Sequence, residues 1–396
     1  MPAGPDPIQR RAARRTAAAR WAAGATFSLL AAFCWAQAPA TSASDPPEPA
    51  AAKGEPPSAI AMPDTAVTPP PTEPEKPAGP PIVLVLPLSS PDYARAAEAV
   101  RDGFLAAADA AGARDRVRVI AHASDDVLAA FDAAREGRAR VVVGPLVRDD
   151  LKALAASDRE LPVTIALNQL DEAAALPPRL YTFALAIESD ARTIARRMRE
   201  DGAANVAVIG GDSPLMKRFA HAFAGEWILV GGNLPQSHPF VPTPDGLRVL
   251  RRDLAKAPVD AIVLAVDGPD AALVKTYAPR VNTWASGQVN QRQDHAARLD
   301  LEDVRFVDVS WVVVPDSAAF AKLPRPEYAN AALDRLYALG LDAFRVAEVF
   351  VTAPPDRLSF DGATGRVELS DSRQIWREGR LATFRAGAIV PLDAGR

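Results

Sequence analysis

From Ile82 onward the chain alternates short apolar runs with amphipathic segments, and that alternation restricts the fold more than any other feature. Ile82-Val83-Leu84-Val85-Leu86-Pro87-Leu88 is apolar without a break, the pattern of a strand covered on both faces. Ser89-Ser90-Pro91-Asp92 interrupts it and supplies helix-capping side chains. Tyr93, Ala97, Val100, Phe104, Ala108 and Ala111 then recur at steps of three and four before Gly112, which predicts an amphipathic helix. The same reading predicts strands over 117–121, 141–143 and 162–167, and helices over 125–135 and 149–156. Strands alternating with helices are βαβ units, which build a mainly parallel sheet.

The pattern then starts again. Residues 180–185 read as extended, and Ser189 is placed to cap a helix that Gly202 closes. Strands are expected over 205–209, 227–230 and 261–266, and helices over 214–224, 245–255 and 269–277. Two successive units predict an α/β fold of two lobes, each a mainly parallel sheet flanked by helices. One long helix is expected over 324–351. Asp361-Gly362-Ala363-Thr364-Gly365 and Arg377-Glu378-Gly379-Arg380 read as turns between short strands.

The residues before 82 have a different character. Residues 39–81 hold 14 of the chain's 37 prolines, a composition that buries too little apolar surface to offset chain entropy. They are expected to form a disordered linker. Ahead of them, Arg10, Arg11, Arg14, Arg15 and Arg20 are followed by an uncharged apolar run from Trp21 to Trp35 and by small residues up to Ala40. Basic, apolar, then small is the order of a secretory signal peptide, so 1–38 reads as a signal, with an uncleaved anchor as the alternative. Cys34, the chain's single cysteine, is a candidate lipidation site, although Phe33 precedes it where a small residue is usual in bacterial lipoproteins. One cysteine excludes a disulfide scaffold. Membrane attachment is expected only through this N-terminal segment.

Charge excludes a further class. Residues 1–34 carry five Arg against one Asp, and 39–81 carry two Lys against six acids, so the net −4 of the whole chain falls on the remainder. A mildly acidic folded part does not suit nucleic acid, which wants a basic face.

The residues offer little for catalysis. His122, His221, His238 and His295 are scattered, with no pair at metal-ligand spacing. The sequence contains no G-x-S-x-G elbow, no phosphate-binding G-x-x-x-x-G-K-[ST] loop and no G-x-G-x-x-G. No enzyme activity, cofactor or metal is expected. In open α/β sheets ligands settle outside the carboxyl ends of strands, and with two lobes that means the cleft between them. The positions so placed are Ser89 and Ser90 after the first strand, Pro145 and Leu146 after the third, and Asn168 after the fourth. They are the ligand-cleft candidates for a small polar molecule.

Val85-Leu86-Pro87-Leu88-Ser89 followed by Ala99-Val100-Arg101-Asp102-Gly103-Phe104 resembles the opening of type I periplasmic binding proteins and, more narrowly, of the LppC family. Val142-Val143-Gly144-Pro145-Leu146, Ala166-Leu167-Asn168 and Val304-Arg305-Phe306-Val307-Asp308-Val309-Ser310-Trp311 extend the resemblance. So do Asp361-Gly362-Ala363-Thr364-Gly365-Arg366-Val367 and, most specifically, the stretch from Arg335 to Ala347. The resemblance runs from about residue 82 to the end of the sequence. It implies two lobes joined by three chain crossings, lobe 1 about 82–186 and 320–352, lobe 2 about 188–318 and 354–396. It also implies a periplasmic protein, tethered to the outer or inner membrane, that stimulates a bifunctional penicillin-binding protein during peptidoglycan synthesis by binding rather than catalysis. Longer members carry a helical-repeat domain before this module, where this chain has the Pro-rich tract, and Ser90 stands where many members have Gly. The other reading of the same fold is a periplasmic receptor for an amino acid or another small polar ligand.

Overall fold

The computed structural model describes residues 81–170, 175–291, 295–369 and 372–392. The expected signal segment, Cys34 and all but the last residue of the Pro-rich tract lie outside the described residues. The first half runs β1 (Ile82–Leu86), α1 (Ala94–Ala110), β2 (Val117–Ala121), α2 (Val127–Glu136), β3 (Val141–Val143), α3 (Arg148–Ala155), β4 (Val163–Ala166) and β5 (Leu180–Phe183). The second runs α4 (Ile187–Glu200), β6 (Val206–Gly210), α5 (Pro214–Leu229), β7 (Gln236–Pro239), α6 (Pro244–Leu254), β8 (Ala261–Ala265), α7 (Gly268–Tyr277), β9 (Asn282–Ser286), α8 (His295–Leu299), β10 (Arg305–Asp308) and α9 (Ser310–Val313). Then come the long α10 (Ala331–Phe350), β11 (Leu358–Asp361), β12 (Arg366–Leu369), β13 (Gln374–Glu378), β14 (Arg380–Arg385) and β15 (Ala388–Pro391).

Two sheets result. The first has the order β11-β12-β13-β5-β4-β3-β1-β2 and the second β15-β14-β10-β9-β8-β6-β7. Strands β13, β5, β4, β3, β1 and β2 pair in parallel, with β1 and β2 in the register Val85↔Ile120. The all-apolar β1 is explained by its position: Ile82, Leu84 and Leu86 face a core built with α1 and α10, and Val83 and Val85 face one built with α2 and α3. The second sheet is covered in the same way, by α4 and α5 on one face and α6 and α7 on the other. The α/β, two-lobed fold expected from the sequence is therefore present.

Helices α1 and α10 cross where each has a glycine. A Cβ on Gly103 would lie 2.0 Å from the Tyr337 carbonyl oxygen, and one on Gly340 would lie 2.1 Å from that of Val100. Glycine at both positions lets the two backbones approach more closely than side chains would permit.

Several expectations need correction. Ser189 does not cap α4, which starts two residues earlier at Ile187. Residues 227–230 belong to the end of α5 and its cap, and the strand beyond is β7. Trp227 is completely buried, so its apolar surroundings mimicked a strand while marking the inner face of a helix. The long helix begins at Ala331, capped by the Asn330 side chain accepting from the Leu333 N–H at 3.1 Å. The largest correction concerns the C-terminal segment expected in lobe 2. Strands β11, β12 and β13 join the first sheet and only β14 and β15 join the second. Arg377-Glu378-Gly379-Arg380 is consequently not a hairpin turn but the third crossing between lobes, made at Gly379 between β13 and β14.

Candidate functional site

The lobes meet along a joint that two buried ion pairs close. In both, lobe 1 supplies the guanidinium and lobe 2 the carboxylate. Arg335, in the second turn of α10, donates from Nε to Asp308 Oδ1 at 2.7 Å and from Nη2 to Asp308 Oδ2 at 2.8 Å. The same Nη2 reaches the carbonyls of Gly287 at 2.6 Å and Asn290 at 3.0 Å. Asp308, at the end of β10, also accepts from Asn290 Nδ2 at 3.0 Å and from the Val309 N–H at 2.8 Å. This is a two-pronged guanidinium–carboxylate contact, the strongest hydrogen-bond geometry an ion pair offers. Burial pulls the Arg335 guanidinium toward releasing its proton, but the Asp308 charge and hydrogen bond outweigh it and hold the group above its ordinary value.

The second pair is leaner. Arg377, on β13, donates from Nη2 to Asp190 Oδ2 at 2.9 Å, and Asp190 comes from the first turn of α4. Burial pushes the Asp190 carboxyl above the usual carboxylate range, against the opposing pull of Arg377. Gly379, the residue at the crossing, sits against this pair. A Cβ there would lie 2.6 Å from Val307 Cγ1 and 3.1 Å from Asp190 Oδ1.

A third buried acid lies in the middle of α10. Asp342 is 1% exposed and accepts from the Ala363 N–H at 2.9 Å, the Thr364 N–H at 2.7 Å and the Thr364 hydroxyl at 2.6 Å. The Asp361-Gly362-Ala363-Thr364-Gly365 turn is thus built around a carboxylate. A Cβ on Gly362 would fall 2.4 Å from Asp342 Oδ2, so the glycine is required by that approach. Burial raises the Asp342 carboxyl even with these donors around it.

Away from the joint, a cavity of about 480 Å³ opens between the lobes, lined by Leu146, Asn168 and Gln169 from lobe 1 and by Glu188 and Arg218 from lobe 2. Gln169 Nε2 donates across it to Glu188 Oε2 at 3.3 Å. Of the five ligand-cleft candidates, Leu146 and Asn168 line this cavity, and Ser89, Ser90 and Pro145 do not. Asn168 spends its amide on its own loop: Nδ2 donates to the Leu146 carbonyl at 2.9 Å and Oδ1 accepts from the Gln169 N–H at 2.9 Å. Ser90 is fully buried, its hydroxyl 2.9 Å from that of Ser124 and its carbonyl accepting from the Ala94 N–H at 2.9 Å. Ser89 is exposed. Pro145 is buried and its carbonyl accepts from the Leu167 N–H at 2.9 Å.

The residues that join the lobes were not singled out from the sequence. Asp308 stands inside one of the stretches that carry the family resemblance and Arg335 opens the most specific of them, yet 27 positions separate the partners and no local periodicity pairs them. Among the described residues no group of three or more His, Cys, Asp and Glu is placed to hold a metal ion. Among them also, no helix is long and apolar enough to cross a membrane.

Two sheet-and-helix lobes with three crossings and a cleft define a protein of the type I periplasmic-binding-protein class. Comparison with known proteins narrows this. The model of a family described as "LppC putative lipoprotein" matches residues 59–240 and 246–387, and the chain belongs to the LppC family. It is 26% identical over 321 residues to the penicillin-binding protein activator LpoA of Edwardsiella piscicida, which covers 70% of this chain and 46% of that protein. It is also 26% identical to the activator of the same name from Mannheimia succiniciproducens, over 79% of this chain and 55% of that protein. The chain therefore spans about half the length of the curated relatives it matches. Among solved structures, the C-domain of LpoA from Haemophilus influenzae superposes with a TM-score of 0.67 at 24% identity, over 78% of this chain and 99% of that one. A structure from Chromobacterium violaceum described as "a putative branched-chain amino acid ABC transporter" gives 0.68 at 31% identity, over 76% and 99%.

Proposed function

We propose that this chain regulates a bifunctional penicillin-binding protein in the periplasm, acting in peptidoglycan synthesis as a binding partner rather than as an enzyme. The observation that carries this reading is the joint. Two buried ion pairs and an unbroken crossing at Gly379 tie the lobes into one body, which suits a surface that another protein docks on. The similarity to proteins named as penicillin-binding protein activators supplies the kind of partner. Residues 1–38 act as the export signal or membrane anchor, with Cys34 the lipid-bearing residue if the chain is acylated, and 39–81 as the spacer that carries the folded part away from the membrane. The test is peptidoglycan synthesis by the cognate synthase with and without the purified chain. Stimulation together with direct binding is the expected result, and the absence of both rejects it.

A second reading rests on the 480 Å³ cavity and on the likeness to the C. violaceum transporter component: a receptor that takes an amino acid or another small polar molecule at Leu146 and Asn168. Thermal unfolding in the presence of amino acids tests it, since a ligand at 100 times its dissociation constant stabilises a protein by about 2.7 kcal/mol.

A further inference from the structure

The end of lobe 1 that receives the chain from Pro81 is lined with arginine. Pro81 leads into β1, and its carbonyl accepts from the Arg140 N–H at 2.9 Å and the Val141 N–H at 3.0 Å. Ile82 is in register with Val117 on one side and Val141 on the other, so Arg116 and Arg140 flank Pro81. The stretches 114–118 and 135–140 hold six arginines against two acids, Asp115 and Glu136, in a folded part that is itself net acidic. Arg118, Arg138 and Arg140 are exposed. Two arginines at this end also stand in the left-handed region of the backbone, which favours glycine: Arg138, just past the Gly137 cap of α2, with φ 58°, and Arg179, just before β5, with φ 65°. Strain of this kind clusters where function holds a residue in place. A cation beyond the end of α2 suits the helix dipole, which accounts for Arg135 and Arg138. Arg118, Arg140 and Arg179 lie in or just before strands and are not explained by it.

The chain that arrives at Pro81 carries the complementary charge. Glu75 and Glu73 stand six and eight residues before it, among Pro74, Pro77 and Pro80. Proline-rich chain extends by ~3.1 Å per residue, so these carboxylates reach no farther than roughly 19–25 Å from Pro81. Within that radius, β3 lies one strand spacing from β1 and β5 three, at about 4.8 Å each. We propose that residues 73–80 lie across this arginine face, with Glu73 and Glu75 meeting Arg138, Arg140 and Arg179. Because the segment is joined to the face, its effective concentration there is on the order of millimolar, and weak charged contacts are enough to seat it. Once seated, it fixes the direction in which the spacer leaves lobe 1 and shortens the spacer's free length. This goes beyond the regulatory reading and does not depend on it.

The test is a spin-label distance measurement on the full chain. Cys34→Ser removes the native thiol, and nitroxides are placed at Thr72→Cys and at Ala129→Cys, an exposed position on α2. A narrow distance distribution is expected. Glu73→Lys with Glu75→Lys is expected to widen it about twofold or more, toward the spread of a free chain of that length. Arg138→Glu with Arg140→Glu is expected to do the same, and the four changes together to restore the narrow distribution. A broad distribution in the parent overturns the proposal. So does a width that neither reversal changes, or a combined variant that stays broad. If the arginine variant fails to fold by circular dichroism, the Glu73 and Glu75 reversal decides alone. Vesicles of phosphatidylglycerol supply the control for a different occupant: binding that Arg138→Glu with Arg140→Glu abolishes, with the label distances unmoved by the Glu73 and Glu75 reversal, assigns the face to lipid and overturns the proposal.

Discussion

The two ion pairs across the joint use the same chemistry and are built to different standards. At Asp308 both carboxylate oxygens are engaged, and Arg335 adds bonds to two backbone carbonyls. At Asp190 one oxygen receives one bond and the other receives none. A buried ion pair repays its desolvation only when the geometry is good and the remaining lone pairs are satisfied. The first pair is therefore a structural clasp. The second leaves Asp190 Oδ1 and Arg377 Nε without partners, against Arg335 Nη1 alone in the first, and is held in place by its surroundings.

Asp308→Ala is the sharpest way to break this contrast. It strands Arg335 in the interior and is expected to cost about 3–5 kcal/mol in urea unfolding. Asp190→Ala strands Arg377 as well, but it removes a carboxylate that is itself only half satisfied, and is expected to cost less, about 1–3 kcal/mol; equal losses would show the two pairs to be equivalent. pH sharpens the comparison further. Because burial raises the Asp190 carboxyl in the folded state, its contribution to stability is full below the unfolded pKa and fades as pH rises through the folded one. Asp190→Asn, always neutral, is then expected to lose more stability relative to the parent at pH 4 than at pH 7, and urea midpoints at the two values report the sign. At the open edge of the cleft the contacts are weaker. Gln169→Ala removes the 3.3 Å bond to Glu188 and is expected to cost about 0.5–1 kcal/mol. Lys217→Ala breaks the solvent-exposed pair with Asp212 and is expected to change the unfolding midpoint least, in keeping with surface ion pairs in general.

How far the sequence carried differs between these regions for a physical reason. The two-lobe α/β order was legible because each buried strand is short and apolar and each helix shows its own period, properties that live within a dozen residues. The joint was not, because Arg335 pairs with Asp308 and Arg377 with Asp190 over long separations, and a lone Asp or Arg at the end of an element looks like a cap or a surface charge. Ser90 and Asn168 show a different limit of reading side chains from the sequence. Their polar side chains at strand ends suggested a ligand, and the structure spends Ser90 on Ser124 and Asn168 on the neighbouring backbone. Trp227 misled in a third way, since a buried aromatic suits strand and helix alike until the helix is seen to continue past it.

The third crossing has a mechanical consequence. β13 runs in one sheet and β14 in the other, with Gly379 alone between them, so a nearly continuous length of extended chain is pinned at both ends into rigid β structure. Any rotation of one lobe against the other must twist that single residue. The ribbon behaves as a torsion bar: a partner that grips only one lobe transmits torque to the far one directly.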